Sequence, residues 1–459
     1  MGATPAAGIV TALVLCILGC QFGITMVAPV LPAIARGLGA SSESVGVSQA
    51  LFFLAGGVGS LIAVRLSDRV GRKPVLLGIL ATAVVGSLVV AFAPHVSFVF
   101  LGRALEGTAS AVFPLTYLIL REALTAQLFG ITVGIVGAFG GGLFGLDGLL
   151  GGAVGDHFGF RPVFLVLSAV GLLAILLAWR LVPGPRLIPM HAARFDWGGG
   201  IILSLALVCL NGGLYLLTVP GAPLIIGVVT ILAAPALVVL YERSARRHKE
   251  PLIRLSLLRT RSLWPFLLST VAGVAGAFAV TTYLIAILAE DEVNGYGLNS
   301  TLTALLYLVP PALLALAAAP LAGHFAPQIG WSLTLRIGLF ASTVSLVVAA
   351  LFEQQMWAVL AAVCGLGLAF NGIVLPMMNG LSVLLSPASA PGLLPALNGV
   401  AVGVGGSLGV ALVVPLVSSH SAAGYAEAFW VCACLTALAF CASVVLRGPV
   451  MAPSPTVSP

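Results

Sequence analysis

The chain has 459 residues, of which 60% are hydrophobic and 7% charged, and its mean hydropathy is +1.16. A water-soluble domain of that composition would expose large apolar patches, so the chain reads as an integral membrane protein. Its formal net charge of +6 arises from 20 Lys and Arg against 14 Asp and Glu and bears on orientation in the membrane; no nucleic acid is expected as a partner.

A helical span needs about 20 apolar residues, and the alternating segments of about ten residues that mark a membrane barrel are absent. The expected fold class is therefore an all-α integral membrane protein. Apolar runs bounded by charge, Pro or Gly fall near 8–31, 45–66, 74–93, 96–120, 128–154, 162–182, 197–218 and 221–241. They resume near 262–289, 301–323, 332–352, 355–385, 392–417 and 424–446. Fourteen runs predict both termini on one side. The first run lacks a basic leader and an evident cleavage site, so it reads as a retained helix rather than a signal peptide. Ala6 stands where a myristoylation motif wants Ser or Thr. The 7 cysteines, Cys16, Cys20, Cys209, Cys364, Cys432, Cys434 and Cys441, lie in apolar runs without metal-ligand spacing and read as packing residues. Neither disulfide, metal nor other cofactor is expected.

With the N-terminus inside, all 20 Lys and Arg except Arg36, Arg161 and Arg103 gather in inner loops and span ends. The positive-inside rule predicts this asymmetry and with it cytoplasmic termini. Segment 242–261, with Arg243, Arg246, Arg247, Lys249, Arg254, Arg259 and Arg261, reads as a topology anchor against anionic membrane lipids.

Between the second and third runs, Val64-Arg65-Leu66-Ser67-Asp68-Arg69-Val70-Gly71-Arg72-Lys73-Pro74 is expected to be a solvated, charged turn. Asp68, Arg69, Gly71, Arg72 and Lys73 resemble the loop between helices 2 and 3 of major facilitator transporters, roughly G-x-L-x-D-R-x-G-R-K, with Val64 in place of the first glycine. The junctions Ala193-Arg194-Phe195-Asp196-Trp197-Gly198 and Tyr241-Glu242-Arg243 are similar to those of fourteen-helix drug:proton antiporters, as is Arg161 after Phe158-Gly159-Phe160. The resemblance implies a major facilitator fold of two six-helix bundles plus two inserted helices, divided as 1–182, 183–261 and 262–459. Residues 320–333 occupy in the second half the place of the Asp68 segment, with nearly all charge lost, as repeated halves would have it.

Ionised groups inside spans cost several kcal/mol unless paired or hydrated, so each is a functional candidate. Arg103 and Glu106, three residues apart, share one helical face and can pair. They resemble the antiporter motif R-x-x-Q-G, with Glu106 for Gln, and the resemblance links Arg103 to proton coupling. A neighbouring guanidinium favours the ionised carboxylate and burial the protonated one, so a cavity that opens and closes can load and unload a proton. Asp147 lies in a ridge of glycines, Gly137, Gly141, Gly145, Gly148 and Gly152, similar to the fifth-span antiporter motif but without its Gly-Pro pair. It is a second proton carrier, a ligand for a cationic substrate, or a hydrated acid near the span end. Gln21 stands in the first span where many proton-coupled transporters have an acid; it can bond a substrate but carries no proton. Phe22, Met26, Phe113, Tyr117, Tyr283, Asn371 and Met377 complete the candidate substrate-binding set, while Asn211, Asn379 and Asn398 read first as interhelical hydrogen bonds.

The chain shows no Walker loop, GxSxG or HExxH, and its 6 histidines are scattered singly, so it is not expected to be an enzyme. The expected function is a proton-coupled secondary transporter, monomeric and in the bacterial inner membrane. It would export amphipathic small molecules or drugs by alternating access. The alternatives are export of an endogenous metabolite or lipid, and proton-coupled uptake.

Overall fold

The computed structural model describes residues 3–27, 30–40, 42–141, 146–184, 196–217, 223–247, 260, 263–298, 300–387, 391–417 and 421–446. Every regular element among them is helical, which is what hydrocarbon demands: with no water present, backbone N–H and C=O must pair within the segment. In chain order these are α1 (Ala3–Thr25), α2 (Leu31–Leu38), α3 (Ser42–Val70), α4 (Arg72–Ala91), α5 (Val96–Ala123), α6 (Ala126–Gly141), α7 (Leu146–Phe158) and α8 (Phe160–Leu181). There follow α9 (Trp197–Leu216), α10 (Leu224–Ala245), α11 (Trp264–Glu290), α12 (Ala304–Ile329), α13 (Trp331–Leu351), α14 (Met356–Leu384), α15 (Leu393–Val417) and α16 (Ala422–Val445).

Among the described residues, 12 helices are long and apolar enough to cross a membrane. The two remaining expected runs are occupied by α3 and by the α6–α7 pair. Two sequence expectations are corrected in detail. The first span ends at Thr25 rather than near 31, because Pro29 and Pro32 cannot continue its hydrogen-bond ladder, and Pro32 instead sits in the first turn of α2. Within the fifth run, α6 is described to Gly141 and α7 from Leu146; residues 142–145, Gly145 among them, lie outside the described residues. The charged turn is hardly a loop: α3 runs to Val70, α4 begins at Arg72, and Gly71 alone reverses the chain, at φ 102°. Asp68 and Arg72 are consequently buried rather than solvated.

Alternation of helix direction gathers Arg65, Arg69, Arg72, Lys73, Arg121, Arg243 and Arg336 at one end of the bundle, the basic end, and Arg36 and Arg161 at the other. Phe92, Trp179, Ile225 and Leu232 stand exposed on the outside, a surface suited to hydrocarbon rather than water. α1 to α8 pack largely among themselves, as do α11 to α16. The two groups meet where α6 lies along α12 and α3 along α15. Gly130 and Gly134 of α6 sit against Gly323, Ala319 and Pro320 of α12 so closely that any Cβ would overlap the facing backbone, the small-residue packing that replaces hydrophobic driving force in lipid. Towards the basic end the groups also join through the Phe129 and Trp331 rings, 5.8 Å apart, and through Gly392 against Asp68. α7, at the opposite end, packs among the described residues on α1 and α8 of its own group.

α9 and α10 pack on each other, with Gly213 and Gly227 at the crossing. Asp196 starts α9 by accepting the Gly199 N–H at 2.7 Å, an N-cap bond. α9 then lies beside the seam between α3 and α15, with Leu207 against Gly57 and the Ser407 hydroxyl donating to Asn211 Oδ1 at 2.7 Å.

Candidate functional site

Two close helix crossings build the surroundings of Arg103 and Glu106. Gly86 of α4 and Gly102 of α5 press their backbones together, which sets the Ser87 hydroxyl to donate to Glu106 Oε1 at 2.5 Å. Gly107 of α5 lies on the Phe52 carbonyl of α3, and the Phe52 ring covers the Arg103 guanidinium, 4.2 Å from its centroid, as a cation–π partner. Arg103 Nη1 donates to Glu106 Oε2 at 2.5 Å and to the Gly23 carbonyl at 3.0 Å. Gly23 belongs to the last turn of α1, where carbonyls outrun the donors of their own helix, so the guanidinium caps the negative end of that helix. Arg103 is 0% and Glu106 3% exposed. Beside Glu106 a cavity of about 30 Å³, bordered by Gly19, Cys20, Gly23, Ser87 and Gly171, has space for a water. The α-helical winding tightens to a 3₁₀ turn at Thr108–Ala111, immediately past this pair. Chemically, each carboxylate oxygen of Glu106 faces one donor: a proton on Oε1 can be donated to the Ser87 hydroxyl, whereas a proton on Oε2 displaces Arg103, a cation that also holds α1.

Asp147 occupies the first turn of α7. The Thr25 hydroxyl donates to its Oδ2, and the Gly148 N–H donates to Oδ1 at 2.9 Å. The same Thr25 hydroxyl lies 3.0 Å from the Gln21 carbonyl. At 2% exposure Asp147 is not a hydrated acid at a span end, which removes one of the three readings open from sequence. Both buried acids therefore bear on one turn of α1, Glu106 through Arg103 and the Gly23 carbonyl, Asp147 through Thr25.

At the basic end, Asp68 pairs with Arg72 at 2.6 Å and with Arg65 at 3.1 Å. Arg72 also reaches the Ser67 hydroxyl at 2.6 Å and Glu122 on α5 at 3.1 Å. Gly392, just before α15, allows the carboxylate to sit against that helix N-terminus: a Cβ there would lie 3.0 Å from either Asp68 oxygen. Lys73 turns away to cap α8, donating to the Trp179 and Val182 carbonyls at 2.6 and 2.8 Å. Gly71 is the reversal itself, and Arg69, half-buried in the last turn of α3, completes the cluster.

Of the eight residues expected to bind substrate, Gln21, Met26, Tyr117 and Met377 are buried and Phe22, Phe113, Tyr283 and Asn371 half-buried. Met26 is buried in a cluster with Val27, Val90 and Phe164, with Phe22 at its edge. Met377 and Tyr117 are core side chains, and Phe113 fills the space opposite Gly140 and Ile17. Gln21 is buried at 4%. Tyr283 and Asn371 are half-buried, and each lies in a π-helical segment, Val280–Leu284 and Gly367–Val374, where the ladder is locally widened. Tyr117 hydrogen-bonds Asn379. Asn379 in turn accepts from Asn398 at 3.0 Å, and Asn398 accepts from Thr270 at 3.2 Å, so a polar chain joins α5 to α14, α15 and α11 near the basic end. Sequence reasoning named neither Ser87, Thr25, Phe52 nor Glu122 as site residues. Thr25 carried a signal, standing four residues after Gln21 where a hydroxyl bonds back to the carbonyl of its own helix. For Ser87, Phe52 and Glu122, only the helix crossings reveal the role.

The sequence profile described as the Major Facilitator Superfamily matches residues 13–200 and 193–410. The chain is 30% identical over 433 residues to a uridine/deoxyuridine transporter of Lactococcus lactis, covering 92% of this chain and 89% of that protein. It is 27% identical over 411 residues to the tetracenomycin C resistance and export protein of Streptomyces glaucescens, covering 86% and 73%. The fold matches the crystal structure of the human organic anion transporter MFSD10 with a TM-score of 0.68 at 15% identity, over 96% of this chain and 99% of that one. With an all-helical bundle, helices at every expected run and a profile match across most of its length, the chain belongs to the Major Facilitator Superfamily.

Proposed function

We propose that this protein is a proton-coupled secondary transporter that exports amphipathic small molecules by alternating access. The observation that carries the reading is the burial of Arg103, Glu106 and Asp147 in an apolar interior, where ionisable groups persist for function, with both acids bearing on the last turn of α1. Similarity to the tetracenomycin C resistance and export protein supports the direction and the substrate class. A second reading, transport of a pyrimidine nucleoside, is favoured by the likeness to the uridine/deoxyuridine transporter over nearly the whole chain. Proteoliposomes with an imposed pH gradient decide between them. Gradient-driven movement of amphipathic dyes is the expected result; movement of labelled uridine without dye movement would replace the substrate, and no gradient-driven flux of either would overturn coupling.

In this reading residues 1–182 and 262–459 are the two six-helix bundles, and 183–261 carries the inserted pair and its basic linker. The fourteen crossings put both termini and the basic end in the cytoplasm, in contact with anionic lipid head groups, and the monomer is the working unit. Reporter fusions after Arg447 and within 243–261 are expected to read cytoplasmic; a periplasmic signal at either would overturn the crossing count. Joined at the basic end, the two bundles stand in an outward-facing state, with Asp68 as the latch between α3 and the N-terminus of α15.

Asp147 is the second proton carrier, its carboxylate already engaged by Thr25 and Gly148 rather than free to pair with a cationic substrate. Asp147→Asn is expected to stop gradient-driven transport of cationic and neutral substrates alike, at least tenfold by the size of a hydrogen bond to a charged group. Loss of cations alone, in the same flux assay, would assign it to charge recognition.

A further inference from the structure

We propose that Thr25 is a positioning residue that passes the protonation state of Asp147 to the last turn of α1. The inference rests on the coupling reading above and concerns how it is transmitted. A threonine hydroxyl has a single hydrogen, yet two acceptors lie in its reach, the Gln21 carbonyl at 3.0 Å and Asp147 Oδ2. It can donate to only one at a time.

When Asp147 is ionised, it accepts the hydroxyl hydrogen, because a charge-assisted bond is the stronger of the two. The Gln21 carbonyl then loses its side-chain donor, and α1 is tied to α7. When Asp147 takes up a proton, its own O–H donates to Thr25 Oγ1. The hydroxyl hydrogen turns to Gln21, closing the turn with a back-bond within the helix. No covalent bond of Thr25 breaks, and the proton stays on Asp147; only the direction of donation reverses. The turn that responds also contains Gly23, whose carbonyl is held by Arg103, so a change at Asp147 reaches the Arg103–Glu106 pair through three residues of backbone.

The surroundings leave Thr25 as the contact through which Asp147 acts. α7 packs among the described residues on α1 and α8. α1 brings no charged side chain. On α8, Arg161 reaches the Ala93 carbonyl at 3.3 Å and Arg180 is exposed at the far end. On α7 itself, His157 lies 2.9 Å from the Ala153 carbonyl, and the side chain of Asp156 is outside those described.

The test uses the full-length protein in proteoliposomes, comparing gradient-driven flux with substrate exchange at zero gradient for Thr25→Val, Thr25→Ser and Asp147→Asn, singly and combined. Valine keeps the branched shape and removes the hydroxyl; serine keeps the hydroxyl. Thr25→Val is expected to lose roughly tenfold of gradient-driven flux while exchange is retained, the scale of one hydrogen bond to a charged group. Thr25→Ser is expected to restore it, and Thr25→Val to add nothing once Asp147 is Asn. Wild-type flux in Thr25→Val, equal loss in both assays, or no rescue by serine would overturn the role of Thr25 and leave coupling intact. Absence of gradient-driven flux in the unmutated protein would overturn both.

Discussion

Under the proposed proton coupling, Glu106→Gln is expected to bring gradient-driven transport down to the level of empty vesicles while the protein still inserts and exchanges substrate. The amide keeps the shape of the side chain: its oxygen can still accept from Arg103 and its NH2 can donate to the Ser87 hydroxyl, the two groups that hold the carboxylate at 2.5 Å on either oxygen, but it cannot load or release a proton. A failed proton step halts every coupled cycle. Exchange at zero gradient needs no net proton movement, so it is expected to survive and serves as the control for folding. Full gradient-driven flux in the variant would move coupling to another residue. Arg103→Ala is expected to be worse for the protein itself: it leaves a carboxylate buried without its cation and the α1 terminus without its cap, a loss of about 3–5 kcal/mol by comparison with other broken buried pairs. Thermal unfolding in detergent reads this as a lowered midpoint, and an unchanged midpoint would mean that water had entered to replace the guanidinium.

Asp68→Asn is expected to slow turnover by roughly tenfold with substrate affinity near the original value, the scale of a typical coupling free energy. The contacts at stake exist between bundles in this conformer: Asp68 beside Gly392 and the start of α15, with Arg65 and Arg72 holding the carboxylate in place. Asparagine removes the charge that faces the positive helix end, takes the acid from Arg65 and leaves Arg72 with Glu122 alone, so the closed basic end is expected to be weakened relative to other states. Equilibrium binding and initial transport rates, measured on the same preparation, separate the two effects. Equal rates for variant and original would reduce the segment to a topology signal.

The fold was legible because membrane insertion is decided by local composition. Each apolar run bounded by charge or proline became a helix, and the pairing of Arg103 with Glu106 followed from three-residue spacing on one helix. Legibility failed where a second element had to be known. The charged segment 64–76 read as a solvated turn, yet the helices close over it because Arg72 finds Asp68, Ser67 and Glu122 together. The substrate-binding set was chosen by residue type, and a greasy side chain carries no mark of whether it faces a pathway or a neighbour; Met26 and Met377 lie in buried clusters.

The sequence by itself determined that this protein lies in a membrane, which stretches are apolar helices, which charges fall inside them and which end is basic, all properties that act within one helix or at its ends. Only the tertiary structure decided that Ser87, Phe52 and the Gly23 carbonyl surround the Arg103–Glu106 pair, that Thr25 meets Asp147, and that the bundles join at the basic end. Those contacts depend on how closely glycines such as Gly86, Gly102 and Gly107 let separate helices approach, and closeness between helices far apart in the chain has no periodicity along it from which to be read.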